Sequence, residues 1–171
     1  MDKQKNNHAF IDGANLHRGI KSLEWELDYK RFRIWLSEKY SASRAYIFIG
    51  LISKYKDLYT HLQEAGFTLI FKEVVFDEAG KAKGNCDADL VLKATQEVYE
   101  NSFHKAVIVS SDGDYAGLVK FLINKNKLAA VLSPANVDKC SILLKRTNAT
   151  ISYINDQRSI LEIRLKRKSP R

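Results

Sequence analysis

The chain has 171 residues, 45% of them hydrophobic, which suits one ordinary domain with a real core. Its formal charge is +8, but Arg164, Lys166, Arg167, Lys168 and Arg171 crowd into the last eight residues, and the remaining 23 basic against 20 acidic residues leave +3. No apolar run approaches the roughly 18 residues of a membrane span, and the polar opening MDKQKNNHAF does not read as a secretory signal.

Two cysteines, Cys86 and Cys140, make neither a disulfide framework nor a four-cysteine zinc site. These features predict a cytoplasmic protein with reduced thiols and no membrane partner. The basic tail suits non-specific attraction to phosphate backbones, or simply a solubilising end.

Short apolar runs alternate with longer amphipathic stretches. Residues 8–11 (HAFI) predict a first strand. Residues 27–38, with Phe32, Trp35 and Leu36 at helical spacing, predict a helix, and residues 44–49 (RAYIFI) a second strand. A helix over 55–65 stops at Gly66 in the C′ position, and a third strand follows over 67–71. Residues 74–85, polar and holding the turn EAGK, read as a loop or small hairpin.

The longest helix is predicted over 87–101, with Leu90, Val91, Ala94 and Val98 on one face. A fourth strand over 105–109, a helix over 115–125, a fifth strand over 128–132 and a short helix over 140–146 come next. A sixth strand over 150–154 and a helix over 157–165 close the chain. Strands alternating with helices imply an α/β fold, with a mostly parallel sheet covered on both faces. The expected division is one domain over residues 1–155, then a C-terminal helix and basic tail over 156–171.

In an open parallel sheet, ligands bind outside the carboxyl ends of the strands. After the first strand stands Asp12-Gly13-Ala14-Asn15, and after the fourth Ser110-Ser111-Asp112-Gly113-Asp114. A third acidic stretch, Lys83-Gly84-Asn85-Cys86-Asp87-Ala88-Asp89, opens the long helix. Carboxylates gathered on one spot repel one another, and a hard, oxygen-seeking cation relieves that repulsion.

Each stretch also admits a plainer reading. Asp87 suits a helix N-cap, and Asp89 suits an i,i+4 ion pair with Lys93. Asp12-Gly13 suits a turn, and residues 110–114 suit a helix start. The two acidic strand ends meet only if the first and fourth strands are neighbours, the adjacency of a switch-point sheet.

FIDGANL (residues 10–16), KGNCDADLVL (83–92) and VSSDGDYAGLV (109–119), in that order, resemble the NYN domain family, a branch of the PIN-like nucleases also called the LabA-like or DUF88 group. The resemblance spans about residues 6–155. It implies a three-layer sandwich around a central parallel sheet and an acidic pocket that binds Mg²⁺ or Mn²⁺ and hydrolyses RNA phosphodiesters. It carries over Asp12 and Asn15 as the first motif's aspartate and asparagine, Asp87 as the second motif's aspartate, and Ser110, Asp112 and Asp114 as the third motif's serine and aspartates. Many relatives have a further acidic residue where this chain has Lys93. Asp89, four residues earlier, either supplies that carboxylate one turn away or leaves the site one acid short.

The expected function is metal-dependent ribonuclease activity. Asp12 and Asp112 would hold the main cation, while Asp87 and Asp114 complete the pocket, orient water or hold a second cation. Asn15 and Ser110 would orient carboxylates or donate to phosphate. Lys83 either reaches a phosphate oxygen or remains a solvated loop charge. Arg18, Lys21, Lys81 and Lys139 are placed in loops along the path of the RNA, and His17 on a solvated helix.

The alternative is a non-catalytic RNA-binding or regulatory module, which Lys93 and the basic tail favour. A dinucleotide-binding domain is excluded by the lack of G-x-G-x-x-G after the first strand, and a serine hydrolase by the lack of G-x-S-x-G.

Overall fold

Strand β1 (Asn7–Asp12) is buried along its whole length, and its alternating side chains feed two separate cores. The structure, a computed structural model, describes residues 6–83 and 85–165. Ala9 and Ile11 point to one face of the sheet, where they meet Leu16, Ile20, Phe32, Leu36 and Leu62. Phe10 points to the other, against Leu90, Ala94, Tyr115 and Leu122. Two cores with a sheet between them make the three-layer sandwich expected from the sequence.

After β1 come α1 (Gly13–Ser22), α2 (Tyr29–Tyr40), β2 (Ala42–Leu51), α3 (Lys56–Glu64) and β3 (Thr68–Glu73). A small antiparallel hairpin, β4 (Val75–Phe76) with β5 (Ala82–Lys83), leads to α4 (Asp87–Tyr99). Then follow β6 (Ala106–Val109), α5 (Ala116–Asn124), β7 (Leu128–Ser133), α6 (Ile142–Lys145), β8 (Ile151–Tyr153) and α7 (Arg158–Leu161).

The central sheet has six strands in the order β3-β2-β1-β6-β7-β8. All its pairings are parallel. The order runs outward in both directions from β1 and β6, so the switch point lies between these two. This is the adjacency the acidic strand ends require: Ile11 pairs with Val109, and Asp12 and Ser110 follow at the same edge.

Two predicted elements differ. Arg18 and Lys21, expected in loops, are exposed residues of helix α1, the same helix that carries His17. The two apolar anchors of that helix, Leu16 and Ile20, are one turn apart and both buried, while most of its other side chains are polar. The closing helix over 157–165 is shorter than expected. It begins as a 3₁₀ turn (Ile154–Gln157), and α7 ends at Leu161. Glu162 then makes an isolated antiparallel bridge to Leu27, and the Ile163 N–H donates to the Glu26 carbonyl.

Leu161 is buried in the first core, so this segment packs on the sandwich. Of the basic tail, Lys166, Arg167, Lys168 and Arg171 lie outside the described residues, as does Gly84. No helix among the described residues is long and apolar enough to cross a membrane.

Candidate functional site

Gly13 lets the first motif turn directly from strand into helix. A Cβ there would sit 2.9 Å from the Phe48 carbonyl and 3.0 Å from an Ile47 methyl, so only glycine allows α1 to start this close to β2. Asp12 precedes it as the N-cap of α1, its Oδ1 accepting the Asn15 N–H at 3.0 Å. The cap position expected for Asp87 is held instead by Cys86, which makes no side-chain cap bond. Asp87 is the first residue inside α4, after Cys86. A residue past the cap has a carboxylate free to turn elsewhere.

The Asp87 carboxylate accepts from Asn85 Nδ2 at 3.2 Å and from the Tyr115 hydroxyl at 2.9 Å. The same hydroxyl lies 3.0 Å from Asp12 Oδ2. Tyr115 is fully buried, and a buried tyrosine hydroxyl requires a polar partner. Here it faces two carboxylates with one hydrogen to give.

Burial is the main cause that lifts the Asp12 carboxyl above its ordinary range. The Asn15 N–H, the Tyr115 hydroxyl and the Arg18 charge pull it back, while Asp87 adds to the rise. Tyr115 is itself held far above an ordinary phenol by burial and the two carboxylates.

The third motif is built by short polar contacts. Ser110 is fully buried, and its Oγ accepts the Asp112 N–H at 3.1 Å. Asp112 caps a single 3₁₀ turn (Gly113–Tyr115) by accepting the Asp114 N–H at 2.9 Å. A Cβ on Gly113 would come within 2.4 Å of Ser141 Oγ, so this turn lies tight against the start of α6. Asn15 joins the first motif to the third: its Oδ1 accepts from the Ser111 N–H at 3.0 Å and from the Ser111 hydroxyl at 3.2 Å.

Asp87, Asp112 and Asp114 each bring a carboxylate oxygen to within 4.8 Å of the others. The Asp114 carboxyl, fully exposed, is raised above its ordinary range chiefly by the negative charge of Asp112. Oxygen donors that repel one another suit a hard divalent cation such as Mg²⁺ or Mn²⁺, so the residues present fit that group.

The other predicted site residues lie farther out. Asp89 reaches Lys72 at 3.8 Å and not Lys93. Lys93 extends to Glu97, at 3.7 Å, and over the Tyr46 ring. Lys83 is exposed on β5, opposite Val75. Lys81 and Lys139 are exposed in loops, and His17 is exposed on α1.

Sequence reasoning missed Tyr115, which stood only as the first residue of a helix. The available signal was its position directly after Asp112-Gly113-Asp114, where a large side chain must enter the core behind the acids. It also missed Lys72, whose Nζ donates to the Asn85 carbonyl at 2.7 Å and steadies the approach to Asp87.

A family model described as NYN domain matches residues 8–153. No curated protein matches the chain. Among solved structures, the chain is similar to the crystal structure of a protein of unknown function from Vibrio parahaemolyticus RIMD 2210633. Identity is 21% and the TM-score 0.77, over 94% of this chain and 98% of that one, a likeness that speaks for the fold.

Proposed function

The chain belongs to the NYN domain family, and from that premise we propose that it is a ribonuclease that hydrolyses phosphodiester bonds with a bound Mg²⁺ or Mn²⁺. The observation that carries this reading is the convergence of Asp87, Asp112 and Asp114 within 4.8 Å at the switch point of a parallel sheet. Its narrower placement in the LabA-like group rests on the three sequence motifs alone.

In this reading Asp87, Asp112 and Asp114 face the cation, and Asp12 completes the pocket from behind Tyr115. When bound, a divalent cation supplies positive charge at the scissile phosphate and acidifies the attacking water. The chain's own part is to hold the carboxylates in register. Ser110 fixes the Asp112 backbone, Asn15 fixes the Ser111 loop, and Asn85 and Tyr115 grip Asp87.

Arg18, exposed on α1 and close enough to act on the Asp12 charge, is placed to attract a phosphate. Lys81, Lys83 and Lys139 are exposed cations for the same polyanion, and Asp89, paired with Lys72, is assigned an outer role. The proposed location is the cytoplasm, on the strength of the low cysteine count.

The test is cleavage of a labelled single-stranded RNA with Mn²⁺, with Mg²⁺ and with EDTA, beside the Asp112→Asn protein. Cleavage that needs metal and is lost in the variant is expected. Salt-sensitive RNA binding without cleavage under any of these conditions would replace this reading with a non-catalytic binding module.

A further inference from the structure

Three acidic residues of the site come from separate parts of the chain: Asp12 ends β1, Asp87 begins α4 and Asp112 follows β6. The elements that carry them pack through apolar side chains, which fill space without fixing the direction of a carboxylate. Asp87 is the first residue of its helix, and its local hold comes from exposed Asn85, whose Oδ1 accepts the Asp87 N–H at 2.8 Å and whose Nδ2 donates to the Asp87 carboxylate at 3.2 Å.

One group reaches Asp87 from the protein interior. The Tyr115 ring is fully buried in the second core, beside Leu90, Leu118 and Leu122, and its hydroxyl emerges under the acidic pocket. There it lies 2.9 Å from Asp87 and 3.0 Å from Asp12. Asp12 is fixed in turn, its other oxygen holding the Asn15 N–H at the head of α1. The chain of contacts therefore runs from α1 through Asp12 and Tyr115 to Asp87.

We infer that Tyr115 is a positioning residue of the metal site: its hydroxyl, seated between the anchored Asp12 and Asp87, sets how the Asp87 carboxylate presents its outer oxygen, the one Asn85 reaches, to the cation. Tyr115 also follows Asp114 directly in the turn that Asp112 caps, so one buried ring fixes the third motif against the other two. The inference rests on the metal-centred reading proposed above. It assigns to the hydroxyl a task that the ring's packing does not perform, since phenylalanine would fill the same space.

The experiment is a titration of the 171-residue chain with Mn²⁺ alone, followed by calorimetry, for the parent, Tyr115→Phe and Asn85→Ala. Circular dichroism establishes that each is folded. Tyr115→Phe is expected to weaken Mn²⁺ binding about 10- to 100-fold, the usual effect of losing a group that orients a metal ligand. Asn85→Ala loosens the same carboxylate from its exposed side. It keeps the proposal testable should Tyr115→Phe not fold, and it shifts affinity in the same direction.

Unchanged Mn²⁺ affinity in the folded variants overturns the role of Tyr115 while leaving the ribonuclease reading standing. A parent that binds no Mn²⁺ overturns both.

Discussion

The Asn15 carboxamide accepts the backbone N–H of Ser111 at 3.0 Å, across 96 positions of sequence. This bond fastens the head of α1 to the loop after β6. It links the two strand ends that carry Asp12 and Asp112, which their own strands cannot hold in register once the pairing stops at Ile11 and Val109. An asparagine suits the task because its oxygen accepts without adding a fifth negative charge to the pocket.

Asn15→Ala leaves the Ser111 N–H without this partner in a half-buried position. The expected loss is about 1–3 kcal/mol, together with weaker cleavage, since the Asp112 loop is no longer fixed. Urea denaturation and the RNA cleavage assay check both. Full stability and full activity would remove Asn15 from the site.

Burial lifts the Asp12 carboxyl above its ordinary value of 3.8, and this has a signed consequence. A carboxyl whose pKa is higher folded than unfolded favours the folded state while protonated. That contribution is complete below the unfolded value and fades as pH rises through the folded one. Metal-free protein should therefore lose stability relative to Asp12→Asn as pH climbs from about 4 toward neutrality. Mn²⁺ should return stability to the parent at neutral pH by binding the folded state. Melting curves in EDTA across that range decide it, and a constant difference between the two proteins would contradict the burial argument.

The sheet was legible because each strand is a short apolar run between polar stretches, and the acidic pocket because each motif follows or precedes such a run. What could not be read depends on backbone angles and distant partners. Asp12 and Asp87 both stand before helical stretches. Asp12 caps because its own backbone is extended, whereas before α4 that place falls to Cys86. The extent of helix α1 over Arg18 and Lys21 was not legible because only Leu16 and Ile20 anchor it among polar neighbours. Tyr115 meets Asp12 across 103 positions, and no local spacing encodes that contact.

Two glycines near the third motif separate close packing from mere propensity. Gly113→Ala pushes a methyl to 2.4 Å from Ser141 Oγ, between the turn and α6, and should cost about 1–3 kcal/mol. Gly117→Ala, four residues on in α5, meets nothing within 4 Å and should gain about 0.4–1 kcal/mol by restricting the unfolded chain. Paired denaturation curves measure both. Equal effects would mean that the tight seat of Gly113 is not what holds the turn.

The motif resemblance leads one to expect an acid where this chain has Lys93, so introducing one looks like a route to greater activity. The surroundings argue the opposite. Lys93 reaches Glu97 at 3.7 Å, and Glu97, only 4% exposed, also accepts from Tyr46 at 2.5 Å and pairs with His8 at 2.9 Å. Burial first, and then the Glu97 carboxylate, push the Tyr46 phenol up to about 12. Lys93 thus sets its ammonium beside a buried carboxylate and 5.5 Å over the Tyr46 ring. Lys93→Glu would set two negative charges one helical turn apart, one of them buried, and should destabilise the protein by about 1–3 kcal/mol without raising cleavage. Thermal melts and initial rates with Mn²⁺ check the two halves. A stable Lys93→Glu protein that cleaves faster would show that this position faces the substrate, and that Lys93 holds activity down.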